Sequence, residues 1–209
     1  MLDPRCCLCQ HHDVPYHHGN LREALIDAGV ELAATRSPDA VVLREVARRV
    51  GVSHNAAYRH FTDRDALLHA VSARAMTEIG RLMAERIAAA AAGHGKAAAL
   101  ARLEACGRAY VEFAVTQPGL FRIACAWSLG AVQPDSAIDH PYTQLSQRLD
   151  ELVATKTITP RRRENAEIAA WSAVHGFAML ILDGPLRDTP PTTRDEGLNE
   201  VLRVVREGI

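Results

Sequence analysis

The stretch GVSHNAAYRHFTDRDALLHAV, residues 51–71, decides the reading of this chain. It places Ser53, His54, Asn55, Tyr58, Arg59 and His60 within eight positions and then begins an apolar-periodic run. So many hydrogen-bonding side chains either solvate an ordinary surface helix or touch something polar, charged and extended. The residues just before them narrow the choice. Leu43, Val46, Ala47 and Val50 recur at helical spacing. Gly51 stops that helix, because glycine takes a positive φ without steric cost. Ser53 is a natural cap for a third helix from His54 to about His60. A short helix, a glycine turn and a second helix with a polar first turn form the layout of a helix-turn-helix. Such a second helix presents its first residues to base edges in a major groove, and its dipole and free N–H groups favour phosphate nearby. Helix–glycine–helix corners also occur as plain packing units in bundles.

Working outward, Leu21, Ala24, Leu25, Ala28 and Leu32 share one helical face that Asn20 can cap. Ser37-Pro38-Asp39 breaks that helix. Thr62 and Asp65 have capping-box spacing, with Asp in place of the usual Glu. They open a long fourth helix with Leu68, Val71, Ala75, Ile79 and Leu82 on one stripe. Gly93-His94-Gly95 marks a boundary. Helices are expected near 96–116, 118–129, 141–156, 161–183 and 194–207, punctuated by Pro118, Gly130, Pro141, Pro160, Gly184-Pro185 and Pro190-Pro191. Only Ala40–Leu43 is ambiguous with a strand. The expected fold is all-α. A disordered extension over 1–15 precedes an N-terminal three-helix helix-turn-helix domain over 16–64. A connecting helix over 65–92 then leads to a larger C-terminal helical bundle over 93–209 for ligand binding and dimerisation.

Bulk charge does not announce a nucleic-acid partner, since the net charge is −1. Local charge does more: between Leu43 and Arg64 five arginines face only Glu45 and Asp63. The sequence shows no run of 18 apolar residues and no basic-then-apolar leader, so neither a membrane span nor a secretory signal is expected. Five cysteines, three of them at Cys6, Cys7 and Cys9, do not form a disulfide framework, and a reducing cytoplasm is the simplest setting. CCLCQHH at 6–12, with His17 and His18, offers zinc or copper ligands, but its cysteines are closer than the two-to-four-residue spacing of structural zinc pairs. The expectation is therefore no metal site and no cofactor. No catalytic residues are assigned either: HExxH, GxSxG, the Walker loop and the dinucleotide fingerprint are all missing. Glu164 and Glu167 share a helix face without the Glu-x-x-His pairs of a di-iron bundle. A helical small-molecule or metal-binding protein without DNA readout is the rival class, and the polar first turn of the third helix argues against it.

Leu21–Val71 resembles the N-terminal domain of TetR/AcrR-family transcriptional regulators. The resemblance rests on REVARRVGVS at 44–53, on Ala56-Ala57-Tyr58-Arg59-His60-Phe61 and on Asp63-Arg64-Asp65-Ala66-Leu67-Leu68. YHHGNLREAL at 16–25 and the Trp171, His175, Gly176 element resemble the subgroup with a WHG-type C-terminal domain. Val42 departs from the pattern, since many relatives carry a small hydroxyl residue there. The resemblance implies that His54 and Asn55, behind the capping Ser53, read bases. Asn pairs bidentately with adenine, and His donates to guanine or phosphate. It implies phosphate contacts for Tyr58 and His60, either kind for Arg59, and backbone contacts for Arg44 and Arg64.

For the C-terminal half the resemblance implies a homodimer through the helices near 161–183 and 194–207. The first of these is apolar nearly all round, which requires burial on both sides. It also implies a pocket for an unknown small-molecule effector, with Tyr110, Phe113, Phe121, Trp127, Trp171, His175 and Met179 as candidate walls. The expected function is a cytoplasmic, ligand-responsive repressor of a palindromic double-stranded DNA operator. An activator of the same fold is the alternative.

Overall fold

The computed structural model describes residues 21–127 and 140–208. The extension over 1–15, its CCLCQHH motif, Asn20 and the end of the predicted 118–129 helix lie outside the described residues. The described residues are helical with no strand: α1 (Leu21–Thr35), a 3-10 turn (Pro38–Ala40), α2 (Leu43–Val50), α3 (His54–Tyr58), α4 (Arg64–Ala90), α5 (Lys96–Thr116), α6 (Pro118–Trp127), α7 (Pro141–Ala154), α8 (Pro160–Leu182) and α9 (Pro191–Gly208). The fold is all-α with an N-terminal helix-turn-helix.

Three local signals account for the reading unit. Gly51 sits in the left-handed region, φ 77°, and closes α2. Ser53 is extended, and its hydroxyl accepts the Ala56 N–H at 3.2 Å, which starts α3. Asp63, rather than the expected Thr62, caps α4. Its carboxylate accepts the Ala66 N–H at 2.8 Å, a bond that holds the carboxyl below its ordinary range. Thr62 donates its hydroxyl to Asp63 instead. The third helix also ends two residues early, at Tyr58, because the chain must turn before that cap. Val42 is the N-cap of α2 and supplies no side-chain bond.

α4 is the spine. At 1.5 Å per residue its 27 residues run about 40 Å. Its first turns bury Leu67, Leu68 and Val71 against α1, and its later turns bury Ile79 and Met83. Arg74 anchors it to α1 through Glu23 and Asp27, at 2.5 and 2.7 Å. α5 is its broadest partner, reached through the turn at Gly93–Gly95. α6 joins the two halves. A Cβ on Gly119 would lie 2.1 Å from the Ala33 carbonyl oxygen, so only glycine lets α6 meet the end of α1 this closely. On its other side α6 buries Phe121 and Ile123 completely. By length and composition α8 is apolar enough to cross a membrane, but here it packs against α5, α7 and α9.

Candidate nucleic-acid interface and effector cavity

α3 packs on α2, buries Ala57, half-buries Ala56 and leaves its other residues exposed. His54, Asn55, Tyr58, Arg59 and His60 are all exposed within seven consecutive positions. The His54 and Tyr58 rings meet edge to face at 4.6 Å, which orders both without burying either. Phe61 fills the small core that Tyr58 leaves, and Arg22 lies 5.2 Å above its ring. Ser53 is exposed beside them while it caps the helix.

The arginine surplus divides sharply. Arg48 forks onto Glu45 at 2.9 and 2.6 Å and holds its carboxyl below the ordinary range. Arg49 reaches Glu31 at 2.9 Å, a partner outside the local stretch. Arg64 donates to the Val41 and Pro38 carbonyls, both at 3.0 Å, and so braces the 3-10 turn against α4. Arg44 and Arg59 are exposed and have no ion pair or hydrogen bond among the described residues. Arg59 follows Tyr58 directly and Arg44 stands in the first turn of α2, both as uncommitted cations.

The C-terminal helices surround a cavity of about 300 Å³ between α4, α5, α7, α8 and α9, at the lower end of small-molecule sites. Leu103, Leu202, Met83 and Val174 supply its apolar walls, and Tyr110 and Trp171 supply aromatic ones. The other five aromatic, His and Met candidates stand outside that wall. Phe113 and Phe121 are core residues, and Trp127 and Met179 are half-buried at the core's edge. His175 stands behind Tyr110, its Nδ1 3.0 Å from the phenol oxygen, in a group with Trp171 and Phe121. Burial lowers the His175 pKa and raises that of Tyr110 above its ordinary range. Cys106 also lines the cavity, and burial pushes its thiol up to about 12, so it remains protonated.

Sequence reasoning missed the polar part of this cavity: Glu104 and Arg108 on α5, and Asn199, Arg203 and Arg206 on α9. Ninety-one residues separate Arg108 from Asn199, which it hydrogen-bonds. Nothing local could pair them. The only available signal was the Leu198–Val205 stripe, which implies that α9 presents some face to the bundle.

Two family models match the chain: the bacterial regulatory proteins of the tetR family over residues 25–71, and the tetracyclin repressor-like C-terminal domain over 103–205. The second span contains the Trp171, His175, Gly176 element. The HTH-type transcriptional repressor Rv3405c of Mycobacterium tuberculosis (strain H37Rv) is 32% identical over 96 residues, 44% of this chain and 51% of that protein. The HTH-type transcriptional regulator Mb3439c of Mycobacterium bovis matches equally. The chain thus spans about half the length of the curated relatives it matches. A protein of unknown function from Rhodococcus sp. RHA1 superposes with a TM-score of 0.72 at 27% identity, covering 94% of this chain and 99% of that one. A tetR-family regulator from Streptomyces coelicolor shares the fold, with a TM-score of 0.55 at 21% identity over 88% of this chain and 78% of its own. The two matched domains lie in order on one all-α chain and include its helix-turn-helix, so the chain belongs to the TetR family of bacterial transcriptional regulators.

Proposed function

We propose that this chain is a sequence-specific DNA-binding regulator that works as a homodimer, in the simplest case a repressor released by a small molecule. One observation carries the reading. His54, Asn55, Tyr58, Arg59 and His60, which could read DNA, are all exposed on and just after α3, and two exposed arginines, Arg59 among them and Arg44 in the first turn of α2, carry no ion pair among the described residues. Asn55 and His54 read base edges. Tyr58, His60, Arg44 and Arg59 position the helix on phosphates. Arg64 acts mainly by bracing the turn before α2, with its remaining donor capacity facing solvent.

Dimerisation is supported by apolar side chains that the monomer leaves in water. Ile168 and Leu180 on α8 are 70% and 43% exposed, and Val204 on α9 is 54% exposed. The small residues Ala169, Ser172 and Gly176 lie between the first two, and a Cβ at Gly176 would meet nothing. A two-fold dimer through α8 and α9 would set two reading helices at the spacing of successive major grooves, ~34–36 Å. The cavity is the effector site. A ligand there biases the spacing of the reading helices, and operator DNA weakens ligand binding by the same factor.

The test is selection of genomic sites with purified protein, then affinity for the recovered site at two salt concentrations. A palindrome bound specifically, and lost in the Asn55→Ala, Tyr58→Ala double variant, supports the reading. Binding that the double variant retains would remove α3 as the reader.

A further inference from the structure

The cavity's chemistry points to one class of occupant. We infer that it takes an amphipathic anion: an uncharged apolar body of roughly ten to fifteen non-hydrogen atoms with a carboxylate-like group held at the rim by Arg108 and Arg206. This rests on the reading of the cavity as the effector site. The size follows from the volume, about 300 Å³, which is room for about ten waters at ~30 Å³ each. The body must be uncharged because the inner wall offers no charge to meet. Its titratable groups, the Tyr110 phenol and the Cys106 thiol, are both pushed upward by burial and stay neutral.

The rim decides the sign of the head group. Four wall residues are charged: Arg108, Arg203 and Arg206 against Glu104 alone. Arg203 is spoken for, forking onto Glu200 at 2.8 and 2.5 Å and reaching Glu207 at 2.5 Å. Arg206 is not. Its nearest carboxylate, Glu207, is 4.0 Å away, and no hydrogen bond engages it among the described residues. Arg108 holds Glu104 one turn away on its own helix at 2.7 Å and also donates to Asn199. Such an exposed same-helix pair is weak, so an incoming carboxylate can share or take Arg108. A cationic ligand would find only Glu104, already bonded to Arg108. A neutral ligand would leave Arg206 without use. The proposed dimer face does not cover this rim. Residues 204 and 206 are two apart on α9, about 200° around its axis, so Val204 can meet a partner subunit while Arg206 faces the cavity mouth.

The experiment is calorimetric titration of the purified protein with octanoate, 1-octanol and octylamine, each repeated on Arg108→Ala, Arg206→Ala and Arg206→Lys. Circular dichroism checks that each variant folds. Octanoate should bind at least about tenfold tighter than the alcohol or the amine. Each alanine variant should lose about five- to tenfold for octanoate and change little for octanol, and Arg206→Lys should keep most of the affinity. Equal binding of octanol or octylamine, octanoate binding indifferent to the arginines, or no binding of any probe would overturn the inference. Operator affinity measured with the same ligands separates the two ideas. Arginine-dependent octanoate binding without operator release keeps the anion site and removes the effector reading. Release by octanol as strongly as by octanoate, with neither affected by the variants, does the reverse.

Discussion

The two halves of this molecule place their polar side chains in opposite ways. In the head formed by α1 to α3, the core is apolar and closed, with Leu25, Leu32 and Val46 fully buried, and the side chains proposed to meet DNA are exposed. In the bundle, polar groups gather around a cavity, where Tyr110 on the wall bonds His175 behind it and Arg108 at the exposed rim bonds Asn199. A surface that must meet a rigid, charged polymer needs uncommitted donors in water. A site that must enclose a small molecule needs polar groups already oriented by partners. The head can therefore lose the residues proposed to read DNA without unfolding, whereas changes in the bundle mix stability with any binding role.

The largest effect should sharpen that contrast. Asn55→Ala with Tyr58→Ala should reduce operator affinity by about a hundredfold or more, since a good base contact is worth about 1–3 kcal/mol and a phosphate contact is lost as well. Both side chains are exposed, so thermal stability should move little, within about 0.5 kcal/mol. A large loss of stability in this variant would break the comparison. Next comes the seam between the halves. Gly119→Ala drives a methyl to 2.1 Å from a backbone oxygen of α1 that cannot swing aside. It should cost about 2–3 kcal/mol. Gly29→Ala is the control: its Cβ would press on a Val71 side-chain methyl at 2.7 Å and meet Val41 and Leu67 at ordinary contact, 3.6 and 3.9 Å, with no backbone atom in the way. The better helix propensity of alanine, up to about 1 kcal/mol, offsets much of that clash. Equal losses at both positions would show that α6 does not hold the head as tightly as its approach to α1 suggests. Denaturation followed by fluorescence measures both.

A smaller effect separates the uncommitted arginines from the paired ones. Arg44→Ala and Arg59→Ala should each lower the slope of log affinity against log salt by about 1, with a loss of several-fold in affinity that is uniform across sequences. Arg48→Ala should change the slope less, because Arg48 already neutralises Glu45. Equal slopes for all three would mean that the Glu45 pair opens on DNA.

The contrast also explains what the sequence could reveal. The head was legible because its determinants are local: a glycine at φ 77°, a serine cap and a polar turn all lie between residues 51 and 60. The cap of α4 slipped by one residue, since Thr62 and Asp63 both carry suitable oxygens and only the three-dimensional turn selects between them. The bundle's helices were legible from proline and glycine punctuation. Its cavity was not, because five helices contribute to it and its rim pairs residues about 90 apart in the chain. Of seven candidate walls only Tyr110 and Trp171 line it. An aromatic at helical spacing declares that it is buried, not which side of the core it faces.

The smallest expected effect tests whether the bundle's inward polar groups tie stability to pH in a way the head's do not. His175 is packed among Trp171, Phe121 and Tyr110, and burial lowers its pKa below the ordinary 6.5. The titratable neighbours Tyr110 and Cys125 stay neutral through the acid range, because burial raises both, the thiol to about 11. A histidine whose folded pKa is depressed favours folding while it is neutral. That contribution is fully present above the unfolded pKa and is lost as pH falls through 6.5 toward the folded value. Protonation also makes both ring nitrogens donors, which leaves the Tyr110 oxygen only an accepting role in its bond to Nδ1. The wild-type melting temperature should therefore fall between pH 7 and pH 5 more steeply than that of His175→Asn, which keeps an acceptor near the phenol and carries no titrating group. Asn55→Ala, in the exposed head, should leave the wild-type slope unchanged. If His175→Asn keeps the wild-type slope, the acid sensitivity lies outside the aromatic group around His175, and the division between an outward-facing head and an inward-facing bundle does not extend to their electrostatics.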